Sequence, residues 1–540
     1  MSGNHRDPGN GSTRGLDFWL AFIACMVVDL LSALDLTAVS TTLPTIVSHL
    51  HGQDFIWVAS AYTIASTAVL PLCGGVASIF GRKPALLCFV AFFSAGSAIC
   101  GAAQNMPMLI AGRAIQGFGG GGCLATTEII YADMIPLPER GKFQGIQACV
   151  WAFACAIAPP IGGVLASSGA WRFLFFLNLP LCGIATVLII LFLRVRAPKS
   201  AFMSKIGRLD WIGNAIIISS TTSLSIGLAW GGVQFSWSSW HVLLPICLGV
   251  IGIVAFFFVE ALWVVEPTVP FEILHNRTTI SGYLGTFFHG IVSMAVIFAV
   301  YLPVYFQASK GASAVHSGVL FFGSSFSIPL LAIGCGISVQ IVNRYRPQNY
   351  VGWTLILIGL GLLSTLDASS TAAQYTVYQV IAGLGLGIVW ISTQFPILAP
   401  LEFSNNAHAL AFFTFVRCFA QSLGTVIGGA ILQNRVRSIL PSSLVESLPA
   451  HVEVSYALIP LIRKLPPPLK GKVQEAFARS IDLIWRVMIG ISGAGLLSCL
   501  LMSEVEMRQE LDDAWGLEER RLESSDSRKS SDPAVEAPAL

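Results

Sequence analysis

Apolar stretches of about twenty residues recur along the chain from Leu16 to Ser503, separated by short polar turns. Each is long enough to cross about 30 Å of hydrocarbon as an α-helix, the one open-chain structure that satisfies its own backbone there. Fourteen spans are read from this pattern: 17–43, 56–79, 84–103, 107–131, 143–167, 173–193, 210–230, 242–264, 279–307, 317–342, 350–366, 376–399, 409–434 and 481–503. Between the last two, the stretch 435–480 reads as a long outside loop, and Pro466-Pro467-Pro468 speaks against a continuous helix through it. Beyond the spans, Met507, Leu511 and Trp515 recur at i+4 among charges, which predicts a short helix lying on the membrane surface. The serine-rich end that follows has the composition of a disordered tail. The fold class predicted is an all-α polytopic membrane protein.

Composition agrees, with 54% hydrophobic and only 11% charged residues. Lys and Arg (31) nearly balance Asp and Glu (29), and the basic residues sit in short turns, which excludes a nucleic-acid partner. Their placement sets an orientation. With the N-terminus cytoplasmic, the inside turns hold Arg82, Lys83, Arg140, Lys142, Arg194, Arg196, Lys199, Lys205, Arg208, Arg277, Arg344 and Arg346, against Arg172 and Lys310 in the short outside loops. The positive-inside rule then places both termini in the cytoplasm. All twelve cysteines fall in or beside apolar segments without C-x-x-C spacing, so they read as small hydrophobes rather than metal ligands or disulfides.

Charges inside the spans are the candidate chemistry. Arg113 lies in a segment that also carries Gln116, Gly117 and the run Gly119 to Gly122. An arginine at a helix centre costs roughly 2.5–3.5 kcal/mol on insertion scales, so it faces an interior partner, while glycines let a neighbouring helix approach. At 1.5 Å per residue, Asp35 falls about 16 Å before Ile46 and Arg113 about 10 Å after Met106, both in the outer half of the membrane. Asp29 is about 9 Å deeper than Asp35 on another face, and Glu128 is about 22 Å from Arg113, too far to pair with it. Arg417 in span 13 and His289 in span 9 complete the set; a lone intramembrane histidine reads first as a packing residue.

Five stretches, in order, resemble the major facilitator superfamily and its fourteen-span drug:proton antiporter branch, the fungal members in particular. The run from Gly74 to Lys83, with Gly81 and Arg82, is similar to the family's loop between helices 2 and 3, except that Ser78 stands where aspartate is usual. In the family that aspartate caps a helix of the opposite half and locks one conformation; here Ser78 is left to cap as a neutral acceptor, or the lock rests on Arg82 with Asp133. Asp35, Thr37, Leu43 and Pro44 match the helix 1 motif, and Arg113, Gln116 and Gly117 the helix 4 motif. Pro159, Pro160, Gly162 and Gly163 resemble the antiporter motif of helix 5, where prolines interrupt the hydrogen-bond ladder and glycines let the helix bend against the other half. Trp171 to Pro180, and Leu209 to Gly213, resemble the starts of helix 6 and of the extra helix pair, with the tryptophans as interfacial anchors.

The resemblance implies a cytoplasmic tail over 1–16, a six-helix bundle over 17–193, a linker and inserted helix pair over 194–264, a second bundle over 265–503 and a cytoplasmic tail over 504–540. It implies a monomeric carrier in the plasma membrane or the vacuolar membrane that exports small, mostly apolar organic molecules in exchange for protons. Asp35 is expected to be the proton-coupling carboxylate, with Asp29 and Glu128 as further proton or substrate-charge sites and Arg417 facing the cavity. Uptake of a siderophore-like substrate and a non-transporting receptor are the alternatives. No phosphate-binding loop, metal cluster or serine–base arrangement occurs, so neither a cofactor nor an enzymatic activity is expected.

Overall fold

A computed structural model describes residues 14–50, 56–195, 207–232, 234–264, 266–296, 301–440, 444, 458–459 and 461–510. Its long elements are all helical. They are α1 (Leu16–Leu50), α2 (Ile56–Phe80), α3 (Arg82–Gly101), α4 (Met106–Met134), α5 (Leu137–Ser167), α6 (Asn178–Phe192), α7 (Trp211–Trp230), α8 (Trp240–Leu262), α9 (Arg277–Val296), α10 (Phe322–Val342), α11 (Arg346–Leu363), α12 (Ala372–Ser392), α13 (Asn406–Ile439) and α14 (Pro467–Ser498). Each coincides with one of the apolar stretches. Among the described residues, eleven helices are long and apolar enough by themselves to cross a membrane. The other three, α4, α9 and α11, are the ones whose glycine, polar or charged content lowers their hydropathy; α4 alone carries Arg113, Glu128 and Asp133.

Local chemistry sets the helix ends. Asn105 accepts the Met108 N–H at 2.9 Å with Pro107 in the first turn of α4, and Thr371 and Gln374 form a reciprocal capping box on α12. Two basic turns repeat one design. Gly81 (φ 98°) ends α2 before Arg82, and Asn343 (φ 52°) ends α10 before Arg344, each a left-handed residue that stops one helix and starts the next. These turns lie at the same end of the bundle as Arg140 and Lys142, called here the basic end.

α1 to α6 pack as one group and α9 to α14 as another, with α7 and α8 paired on each other and α7 laid against α2. The groups meet through α5 with α10 and through α2 with α13. Their close approaches lie toward the basic end. A Cβ at Gly74 of α2 would stand 2.9 Å from the His408 Cα of α13, and one at Gly141 of α5 would stand 2.6 Å from the Gly336 Cα of α10. Only glycine permits backbones this near.

Several expectations change. α1 runs on to Leu50 through Pro44. α14 begins at Pro467, with Pro466 outside its first turn, so the outside loop is shorter than 435–480; proline fits there because first-turn N–H groups have no helical partner anyway. Residues 502–510 form no helix: Met507 is buried, and Tyr345 fixes the segment through its N–H to Glu504 (3.0 Å) and its hydroxyl oxygen to the Val505 N–H (3.0 Å). Leu511 and Trp515 lie outside the described residues. Trp171 is fully buried under the Arg172 guanidinium (4.4 Å to its ring) rather than anchored at an interface, whereas Trp211 is exposed. All twelve cysteines are free thiols.

Candidate functional site: two buried charge clusters

The first cluster centres on Arg113. Its guanidinium pairs with Asp35, donates to Gln116 Oε1 at 2.6 Å and to the Val58 carbonyl at 3.0 Å, and lies over the Tyr62 ring at 4.4 Å. Asp35 Oδ1 also accepts from Gln116 Nε2 (2.8 Å) and Asn178 Nδ2 (3.0 Å), and both amides reach the Ser97 hydroxyl. The Asp35 side chain is 0% exposed and that of Arg113 1%, so one carboxylate and one cation neutralise each other in a sealed pocket. The glycines make this possible: a Cβ at Gly117 would fall on the Tyr62 backbone, and one at Gly96 on the Gln116 backbone. Thus α2, α3 and α4 close to backbone contact around the pair.

Asn178 shows what pattern reading missed. It belongs to a stretch read as structural, yet it supplies a donor to Asp35. Tyr62 and Ser97 carried no motif. Their signal is chemical: a buried carboxylate needs several donors, and polar residues on facing helices are where to look.

The second cluster lies deeper, between the two groups of helices. Asp29 accepts from Thr127 Oγ1 (3.1 Å), Tyr131 OH (2.9 Å) and Gln147 Nε2 (2.9 Å), and no described Lys or Arg pairs with it. Glu128 accepts from Gln144 Nε2 at 3.0 Å and lies near enough to Asp29 for their charges to repel. Gln147 reaches toward both carboxylates, and Gln394 and Arg417 approach Glu128 from the opposite group. Arg417 is flanked by the Trp390 ring at 4.2 Å and the Phe413 ring at 4.3 Å, with one N–H donated to the Trp390 carbonyl at 2.8 Å. His289, beside Trp390 at 5.8 Å, places Nε2 3.1 Å from the Leu386 carbonyl and is fully buried. Glu128 thus faces the Arg417 guanidinium across the junction, with Asp29 beside it as a second buried carboxylate.

A family model described as Major Facilitator Superfamily matches residues 25–425. The chain belongs to that superfamily. It is therefore a membrane transporter and not an enzyme. It is 36% identical to the efflux pump FUS6 of Gibberella fujikuroi, over 95% of this chain and 94% of that one. It is 37% identical to the MFS-type efflux pump LUC4 of a Fusarium species, over 94% and 91%. Among solved structures, the proton:xylose symporter XylE superposes with a TM-score of 0.56 at 13% identity, covering 92% of this chain and 98% of that one. The human organic anion transporter MFSD10 gives 0.55 at 12% identity, covering 89% and 100%. At such identity these two speak for the fold alone.

The stretch that resembles the superfamily's loop between helices 2 and 3 is held by its own charges. Arg82 Nε donates to Asp133 at 2.7 Å and another Arg82 N–H to the Ala77 carbonyl at 3.1 Å, which ties α2, α3 and α4 together within one group. Arg140 closes the end of α4 by donating to the Ala132 and Ile135 carbonyls. Lys83 donates to the Ile190 carbonyl at 2.7 Å. Ser78 forms no hydrogen bond to α13 among the described residues, and the α13 N-terminus has no side-chain cap at Asn405. Gly74 against His408 bridges the groups instead. α5 runs unbroken through Pro159 and Pro160; a Cβ at Gly163 would meet nothing within 4 Å, while Gly162 is buried. Close packing of α5 against the other group comes from Gly141 and Gly145, near its start.

Proposed function

We propose that this transporter exports small, mostly apolar organic metabolites in exchange for protons, by alternating access between the α1–α6 and α9–α14 groups across fourteen spans. The export reading rests on kinship with chains named efflux pumps that cover nearly its whole length. With the basic end cytoplasmic, tight contacts at Gly74 and Gly141 close the cytoplasmic side, and the conformation faces outward.

The observation that carries proton coupling is the charge imbalance at the junction. Asp29 has no described Lys or Arg partner and stands beside Glu128, whose charge is met only at a distance by Arg417 and Arg140, and one bound proton relieves the repulsion between the two carboxylates. Asp35, expected from its motif to carry the proton, already has its own cation and three amide or guanidinium donors in a sealed pocket. Its best-supported role in this conformation is to hold α1 to α4 and α6, and proton exchange belongs to Asp29 and Glu128. A monomer in the plasma membrane fits this scheme.

The test is accumulation of toxic dyes and drugs in hypersensitive yeast expressing wild type, Glu128→Gln or Asp29→Asn, with and without a protonophore. Lower accumulation in wild type, abolished by the protonophore and by either substitution, is expected. Raised accumulation would instead indicate uptake, and export indifferent to the protonophore would remove proton coupling.

A further inference from the structure

We propose that Arg417 is the docking point for an acidic group on the substrate, a carboxylate or similarly planar oxyanion, and that Glu128 partly neutralises Arg417 when no substrate is bound. This rests on the reading of the chain as an exporter of organic molecules and adds the substrate's charge.

The geometry is that of an occupied slot with one side left open. Trp390 and Phe413 stand on the guanidinium at 4.2 and 4.3 Å, which fixes its plane by cation–π contact. One N–H is held by the Trp390 carbonyl at 2.8 Å. The Nε–H, buried in a residue only 8% exposed, has no partner among the described residues. An unsatisfied buried donor on a cation is costly, and arginine's planar fork matches carboxylate geometry. Such a group remains open when a ligand supplies the acceptor.

Arg113 shows the contrast on the same chain: its guanidinium is in direct ion pair with Asp35, and its Nε–H is taken by the Val58 carbonyl. Arg417 has no described carboxylate within ion-pair distance, although Glu128 acts on it electrostatically. The surroundings are those of an apolar acid's binding site. Trp390 and Phe413 supply the aromatic side, and His289, edge-on to Trp390 at 5.8 Å, is fully buried with its Nδ1 also unpartnered. A flat apolar body fits the aromatic side, and its acidic end fits Arg417.

The experiment measures thermal stabilisation of the purified full-length protein in detergent at neutral pH. The probes are 2-naphthoic acid, indole-3-acetic acid and 1-pyrenebutyric acid, each beside its methyl ester. In wild type each acid is expected to stabilise with a half-maximal concentration at least tenfold below that of its ester. Arg417→Gln should bring acid and ester within twofold of each other, and Arg417→Lys, which keeps the charge without the fork, should retain part of the preference. Glu128→Gln, which removes the competing carboxylate, should tighten the acids threefold or more and leave the esters unchanged. Equal effects of acid and ester in wild type, an undiminished preference in Arg417→Gln, or weaker acid binding in Glu128→Gln would each overturn the proposal. Binding needs no proton gradient, so acids that bind but are never exported would count against the export reading and not against Arg417.

Discussion

The two buried charge clusters are made from the same residue types and differ in one respect, the balance of charge. Around Arg113 one cation meets one carboxylate directly, its Nε–H and one terminal nitrogen are hydrogen-bonded, and glycines bring the surrounding backbones to contact. Around Arg417 the cation meets no described carboxylate within ion-pair distance, an N–H is left over, and Glu128, the carboxylate that acts on it, comes from the opposite group of helices. Balanced and satisfied, a buried ion pair sets geometry; charges left without direct partners between the two groups are the ones assigned above, as a proposal, to protons and ligands. A motif search ranks Arg113 first. Charge accounting ranks Arg417 beside it.

The largest effect expected is on folding, at the balanced cluster. Removing one partner of a buried pair leaves an uncompensated charge and costs about 3–5 kcal/mol. Arg113→Ala and Asp35→Asn should each lower the melting temperature in detergent and the yield of monodisperse protein, and the double variant Asp35→Asn with Arg113→Gln should recover part of the loss. If the single variants fold as wild type and only lose transport, the contrast between the clusters breaks.

The unbalanced cluster should behave oppositely. Glu128→Gln keeps an acceptor for Gln144 and relieves repulsion from Asp29. Its melting temperature is expected within a few degrees of wild type while protonophore-sensitive export falls at least tenfold. A folding defect as large as that of Asp35→Asn would make the clusters alike.

A third effect concerns the closure that keeps the second cluster shut at the basic end. Valine at Gly141 meets the Gly336 backbone with no flexible atom to yield, so Gly141→Val should disfavour this conformation. A cysteine introduced at Ala411, fully buried here, should then react severalfold faster with a maleimide from the basic side than in an otherwise wild-type background. An unchanged labelling rate would mean that closure does not depend on this contact.

Much of this was legible in the sequence because membrane helices are written in long, redundant patterns. The apolar stretches located α1 to α14, and the cost of an intramembrane arginine pointed to a partner for Arg113 in the layer that holds Asp35. Less legible were features set by helix rotation and by the meeting of distant segments. Asn178 looked like part of a loop-to-helix junction, yet its side chain reaches Asp35 across 143 positions. The juxtaposition of Glu128 with Arg417 needs both halves docked, which no local pattern contains. The tail misled for a related reason: i+4 spacing at Met507 suggested a lipid-facing helix, but Tyr345 offers its backbone and hydroxyl to a non-helical segment, and that contact wins.

The smallest effect tests Ser78, where the loop departs from the family pattern it resembles. Ser78 sits one turn from Gly74 on α2, on the side of α13's uncapped N-terminus, and contributes no hydrogen bond there. A carboxylate beside a helix N-terminus stabilises by about 0.3–1 kcal/mol when exposed, because it meets the positive end of the dipole and unused N–H groups. Ser78→Asp should therefore raise the population closed at the basic end by about twofold to fivefold. The Ala411 cysteine would then react more slowly by that factor, and export would slow with it if opening at this end limits turnover. The effect should vanish when Asn405 and Asn406 are both replaced by proline, which removes N–H donors from the α13 start. Slower labelling that survives those prolines would assign it to the charge acting on Arg82 and not on α13. Faster labelling would mean that the new carboxylate draws Arg82 away from Asp133, 2.7 Å away in this structure, and that the serine protects that pair.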